Sequence, residues 1–270
     1  MKDEQLPDLE LLTAKEGSLE YAMFYAQRAK PLLIVVHGLG GNAHSIKHMA
    51  QLLKGAYSIV GVSLPFHGKT FTESPLKANS ALFSILIGKL LDKLSATLAF
   101  PYCTICAHSI GAIFAIQAVL SRTKIFKNMV LAAPAGFGST DQLVFKYTQH
   151  SFGKWLLSQD LFLRYFANKL WKTDDAFSRR LFMNQLKQLF TATEEFDLVS
   201  NKKVHLLYGV SSTVSIIWAK DDAILPYHYS TEVANHFQRS SINLLNDGGH
   251  NLFKTRPDYL AKHLLMLEDS

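Results

Sequence analysis

Cys106-Ala107-His108-Ser109-Ile110-Gly111-Ala112 ends a short apolar run and opens a helical pattern over residues 109–120. A strand turning sharply into a helix, with serine at the turn and small residues two positions either side, is the context of a nucleophile elbow. The turn leaves no room for larger side chains; glycine is usual at the first small position, and Ala107 stands there instead. Such a turn lifts the Ser109 hydroxyl above a sheet, and the helix start brings backbone N–H groups and a positive dipole beside it. A serine N-cap at an ordinary strand-to-helix turn gives the same local pattern. The flanking sequence has to decide between them.

Outward from this turn, short β-branched runs alternate with longer helical patterns. Strands are expected at residues 32–36, 57–62, 103–106, 129–132, 214–218 and 242–245. Uniformly apolar short runs suit strands buried on both faces of a parallel sheet. Helices are expected at 45–53, 76–98, 109–120, 227–237 and 256–267. The alternation predicts an α/β fold with right-handed crossovers and helices on both faces of the sheet. Residues 21–26 are expected to add a strand at one edge. From about 138 to 200 no strand run appears, while aromatics such as Phe145, Trp155, Tyr165, Trp171 and Phe190 recur. A structureless loop of that length is not expected, so several helices inserted between two strands are.

Four more loops follow expected strands. His37-Gly38-Leu39-Gly40-Gly41 has glycines that let the backbone turn and present an N–H toward a nucleophile. A plain glycine-rich loop is the other reading; a dinucleotide loop is excluded, because the G-x-G-x-x-G spacing fails and no acid follows the second strand. Pro65-Phe66-His67-Gly68-Lys69-Thr70 follows the second strand, Trp218 to Pro226 carries the pair Asp221 and Asp222, and Gly248-Gly249-His250 follows the last strand. Any one acid or histidine here is ordinarily solvated or structural. Serine, acid and histidine in that order at strand C-terminal ends are more telling, because sites in open parallel sheets form at those ends.

Composition narrows the function classes. Of 270 residues, 48% are hydrophobic and 19% charged, which excludes a disordered or fibrous chain. The net charge is +6, but basic and acidic residues nearly balance within 138–200, so nucleic-acid binding is not expected. The two cysteines, Cys103 and Cys106, have redox-like C-x-x-C spacing. On a strand, residues three apart point to opposite faces, so both are expected as buried strand cysteines. No second Cys/His pair stands at a zinc spacing, and no metal is expected. Residues 1–7 lack an apolar signal region and no stretch reaches about 18 apolar residues. A cytoplasmic protein without stable membrane insertion is expected.

Five motifs stand in one order: H-G-x-G-G at 37–41, P-x-H-G-x-[ST] at 65–70, [small]-x-S-x-G at 107–111, W-x-x-x-D-x-x-x-P at 218–226 and G-G-H at 248–250. Over about residues 32–267 the chain resembles the α/β-hydrolase superfamily. The resemblance implies a mostly parallel central sheet with helices on both faces, built from residues 1–137 and 201–270, with a helical cap inserted at 138–200. It implies Ser109 as nucleophile, His250 as general base and acid, and Asp222 as the acid behind it, with Asp221 a live alternative. The backbone N–H groups of Leu39 and Ile110 would form the oxyanion hole. His37 would orient that loop and His67 the neighbouring turn, while His108 would line the pocket or pack on the next strand. His228, His236 and His263 are read as surface or structural.

A serine at the elbow argues against the dehalogenases and epoxide hydrolases that this superfamily builds on an aspartate. The implied function is a carboxylesterase or lipase-like serine hydrolase, cleaving an ester of a small to medium apolar acyl group through an acyl-enzyme. No metal or organic cofactor is called for. C–C bond hydrolase or lyase chemistry and non-catalytic ligand binding remain open on the same scaffold. The expected partner is a small apolar ester. An acidic acyl carrier protein docking on basic cap residues is a further one, as in the carboxylesterase of biotin synthesis. The cap aromatics are read mainly as the cap's own core and otherwise as pocket lining.

Overall fold

The apolar runs pair into one sheet. In this computed structural model the described residues are 6–72, 80–137 and 204–268, with Gln159, Leu161, Arg164 and residues 183–185. The strands are β1 (Leu9–Ala14), β2 (Gly17–Tyr25), β3 (Leu32–Val36), β4 (Ser58–Val62), the two-residue β5 (Phe71–Thr72) and β6 (Cys103–His108). β7 (Phe126–Ala132), β8 (Thr213–Ala219) and β9 (Ser240–Leu245) complete them. Six of these fall on the six runs expected from sequence. Their order across the sheet is β1-β2-β4-β3-β6-β7-β8-β9, with β5 beside β2. From β4 onward neighbours are parallel, whereas β1–β2 and β2–β4 are antiparallel.

The helices are α1 (Lys47–Leu52), α2 (Ser80–Leu98), α3 (Gly111–Ser121), α4 (Val204–Leu207), α5 (Ser230–Asn235), α6 (Leu252–Thr255) and α7 (Pro257–Glu268). β3, β4 and β6 are buried along their whole length because both faces of the sheet are covered. On one face Ile34, Ile105, Leu131 and Trp218 pack with residues of α2 and α3. On the other, Leu33, Val35, Cys106 and Ile217 pack with Met49 of α1 and Leu260 and Leu264 of α7. Each fully buried aliphatic side chain contributes about 1.5–3 kcal/mol, so the sheet's centre is its most stable part. Cys103 and Cys106 are free and buried in these two opposite layers, and burial raises both thiol pKa values. Among the described residues, no helix is long and apolar enough to cross a membrane.

The expected edge strand at 21–26 needs correction. It belongs to β2, whose first residues are buried, and β1 lies outside it at the edge. β1 has an exposed side, with Leu9 and Leu11 47% and 48% exposed, as does β9 at the opposite edge. The helix expected at 227–237 is divided, a 3-10 turn (Tyr227–Tyr229) leading into α5 after Pro226. The helical insertion expected at 138–200 lies outside the described residues, apart from the six named above.

Candidate active site

Parallel strands deliver their C-terminal ends to one side of the sheet, so the loops after β3, β6, β8 and β9 gather there. Ser109 sits between β6 and α3 with φ +51°, a left-handed conformation that costs a non-glycine residue about 1–2 kcal/mol. Hydrogen bonds on both sides hold it: its N–H donates to the Ala132 carbonyl at 3.0 Å, and its carbonyl accepts from Ala112 at 3.0 Å and Ala135 at 3.1 Å. Two glycines let neighbouring backbones close on this turn. A Cβ at Gly111 would lie 2.4 Å from the His37 carbonyl oxygen, and one at Gly38 would lie 2.4 Å from His108 Nδ1 and 3.2 Å from Ser109 Cβ.

The three side chains singled out by their order form a hydrogen-bonded chain. Ser109 Oγ is 2.9 Å from His250 Nε2, and His250 Nδ1 is 2.8 Å from Asp222 Oδ2. A carboxylate on Nδ1 fixes the tautomer with hydrogen there, leaving the Nε2 lone pair for the serine hydroxyl. The same Asp222 Oδ2 accepts from the Trp218 indole N–H at 3.1 Å, while Oδ1 accepts from the Ile224 and Leu225 N–H groups at 2.8 and 2.9 Å. Burial pushes the Asp222 pKa up, but the His250 contact and the two N–H bonds outweigh it and hold it below the ordinary value. Asp221 faces elsewhere: its exposed carboxylate accepts the Gly249 N–H at 2.8 Å, a bond that lowers its pKa. The role of Trp218 escaped the sequence reading, although a buried indole N–H usually finds an acceptor and an acid four residues on was available.

The glycine loop after β3 is fixed by uncharged rings. His37 Nε2 accepts the Leu64 N–H at 3.0 Å, so Nδ1 carries the hydrogen and donates to the Gly38 carbonyl at 2.6 Å. His67 Nε2 accepts the Gly40 N–H at 3.1 Å and its Nδ1–H donates to the Pro65 carbonyl at 3.0 Å. His108 donates from Nε2 to the His250 carbonyl at 2.8 Å, and its ring lies 4.9 Å from that of His250 and 5.4 Å from Phe253. Burial lowers all three pKa values, that of His37 far below the ordinary value, His67 to about 4 and His108 to about 3. With Gly40 engaged, the Leu39 and Ile110 N–H groups have no hydrogen-bond partner among the described residues. Of the remaining histidines, His236 stacks on Phe137 at 5.6 Å, His228 lies in the turn before α5, and His263 lies in α7 with its pKa lowered by burial. Among the described residues, no cluster of three His, Cys, Asp or Glu side chains is placed to hold a metal ion.

Comparison with known proteins agrees with this arrangement of strands and loops. The model of the Alpha/beta hydrolase family matches residues 33–263. The uncharacterized hydrolase YugF of Bacillus subtilis (strain 168) is 21% identical, over 92% of this chain and 94% of its own. The magnesium-chelatase 30 kDa subunit of Rhodobacter capsulatus is also 21% identical, over 87% and 86%. Among solved structures, lip1 of Acinetobacter baumannii AYE superposes with a TM-score of 0.78 at 16% identity, covering 97% of this chain and 90% of that one. A thermophilic esterase from Thermogutta terrifontis reaches 0.72 at 15% identity, covering 97% and 98%. With the family match spanning most of its length, the chain belongs to the alpha/beta hydrolase family.

Proposed function

We propose that this protein is a serine hydrolase of carboxylic esters, acting on a small to medium apolar acyl group through an acyl-enzyme. The observation that carries the reading is the unbroken chain from Asp222 through His250 to Ser109, at 2.8 and 2.9 Å. A serine hydroxyl is a poor nucleophile until a base within hydrogen-bond reach takes its proton. His250 Nε2 has that reach. As Ser109 Oγ bonds to the ester carbonyl carbon, its proton passes to His250, and Asp222 stabilises the imidazolium without taking the proton. The carbonyl oxygen becomes an oxyanion, for which the Leu39 and Ile110 N–H groups are the free donors; each such donor is worth about 3 kcal/mol in the transition state. His250 then protonates the alcohol oxygen as the C–O bond breaks. Water, deprotonated by the same histidine, attacks the acyl-enzyme and releases the acid and Ser109.

The buried neutral histidines support the same reading, because they hold the glycine loop without adding a charge beside the developing oxyanion. The insertion at 138–200 would cover the serine, and part of its aromatic side chains would line the acyl pocket. The reading is tested with a chain-length panel of p-nitrophenyl esters and matched thioesters, run beside Ser109→Ala and a serine-directed phosphonate. Ester turnover lost in Ser109→Ala, with phosphonate labelling of Ser109, is the expected result. Undiminished turnover in Ser109→Ala overturns it. Absent labelling in folded protein points instead to ligand binding without hydrolysis.

A further inference from the structure

Beside the glycine loop, the described residues line a cavity. It has a volume of about 210 Å³ and one wall is the glycine loop, residues 38–41. Buried His108 and Phe253 line it more deeply, and the exposed side chains of His48, Asn251 and Lys254 surround its opening. Two features give it a chemical preference. Among the described residues, no carboxylate lines it. Among the described residues, the side chains of His48, Asn251 and Lys254 make no hydrogen bond or ion pair, so a lysine cation and two further polar groups have unused capacity at one opening.

We infer that this cavity receives the leaving group of the ester and that this group carries an anion, either a carboxylate or a phosphate. The inference rests on the ester-hydrolase reading. When the C–O bond breaks, the proton on His250 Nε2 goes to the departing oxygen, so the alcohol must lie on the histidine's side of the acyl carbon. Asn251 directly follows His250, the His108 ring lies against that of His250, and Leu39 brings an unpaired N–H to the same wall. The cavity thus spans from the glycine loop to the histidine loop, where the alcohol portion belongs. Its size suits one ring or short chain bearing a single anion. Its cationic opening selects that charge over a neutral or positive one.

Butyrate esters of 4-hydroxybenzoate, of 4-hydroxyphenyl phosphate and of neutral 4-hydroxybenzamide provide the test. The readout is the ratio of kcat/KM for each anionic ester to that for the neutral one, compared among the natural protein, Lys254→Gln and Lys254→Glu. Comparing each ratio across variants cancels the esters' intrinsic reactivities. The ratio should fall about fivefold in Lys254→Gln and further in Lys254→Glu, chiefly through KM. Raising ionic strength should bring the natural protein toward Lys254→Gln. Whichever anionic ester loses more identifies the anion. An unchanged ratio in both variants, with Ser109 still labelled by the phosphonate, overturns the cavity's role and leaves the ester reading standing. If labelling fails, the ester reading falls, and binding of free 4-hydroxybenzoate to the Ser109→Ala protein decides. Binding weakened by Lys254→Gln supports the anion site, and no binding overturns it.

Discussion

The loops that end β3, β4 and β6 and the loops that end β8 and β9 face one another across the serine, but they are held by opposite means. On the first side His37, His67 and His108 are buried, neutral rings, each bonded to backbone N–H or carbonyl groups. On the second side the fixed points are carboxylates: Asp222 gathers His250, Trp218 and two backbone N–H groups, and Asp221 takes the Gly249 N–H. The difference suits the two tasks that the proposed function gives these sides. Backbone donors aimed at a developing oxyanion need a rigid frame whose own charge does not compete. A histidine that accepts and returns a proton needs a permanent negative charge behind it.

Removing the charge on the second side should have the largest effect. Asp222→Asn keeps an acceptor for the Ile224 and Leu225 N–H groups but offers His250 Nδ1 an uncharged amide, which can stabilise the wrong tautomer. A fall in kcat of about 10⁴-fold is expected, by analogy with the same change in a serine protease. Steady-state rates on a p-nitrophenyl ester measure it. A loss under tenfold would mean that the carboxylate only braces the loop.

Acid should attack the first side before the second. A histidine held neutral when folded takes up a proton below pH 6.5 only when unfolded. Its contribution to stability is therefore complete above pH 6.5 and is lost as pH falls, down to about 4 for His67 and about 3 for His108. Each such ring adds about 1.4 kcal/mol per pH unit to the slope, so His67 and His108 together give about 3 kcal/mol per unit near pH 5, and the depressed His37 acts in the same direction. The depressed Asp222 carboxyl works lower, its share being present above the ordinary 3.8 and lost as pH falls through its folded value. Urea unfolding at pH 7, 6, 5 and 4.5 measures the slope; a flat profile would show that the rings are not held neutral. Within this set, His67→Leu strands the Gly40 N–H and the Pro65 carbonyl, at about 2 kcal/mol of stability. It should also reduce the acid slope by one ring's share and lower kcat about tenfold with little change in KM, a split that loosened packing alone would not give.

How much of this was legible in the sequence follows from the same two sides. Ser109, Asp222 and His250 each lie in the loop after an apolar run, and runs joined by helices pair in parallel, so their convergence follows from topology. Edge strand β1 was not legible, because Leu9 and Leu11 alternate with Glu10 and point outward rather than forming an apolar run. Glu20 was equally hidden. Its buried carboxylate accepts the Ser63 hydroxyl at 2.9 Å and the Lys69 N–H at 3.1 Å, bracing the turn that carries His67, yet these partners lie 43 and 49 residues away. No local spacing announces a contact of that kind. The neutrality of His37 and His67 also depends on burial, which a motif does not encode.

Sequence also left Asp221 and Asp222 as rivals, and their separation gives the finest test of the comparison. Adjacent residues past a strand end point different ways, and here one carboxylate is buried against His250 while its neighbour accepts the Gly249 N–H in solvent. Asp221→Asn keeps an amide oxygen for that N–H and removes only an exposed charge. It should change kcat by less than about threefold, as for a surface substitution. The weak remaining effect should fade with added salt, because solvent ions screen an exposed carboxylate. Kinetics of the two asparagine variants at low and high ionic strength measure the contrast. A loss in Asp221→Asn as deep as that in Asp222→Asn, and indifferent to salt, would mean that His250 depends on the placement of the Gly248–Gly249 turn as much as on the charge behind it.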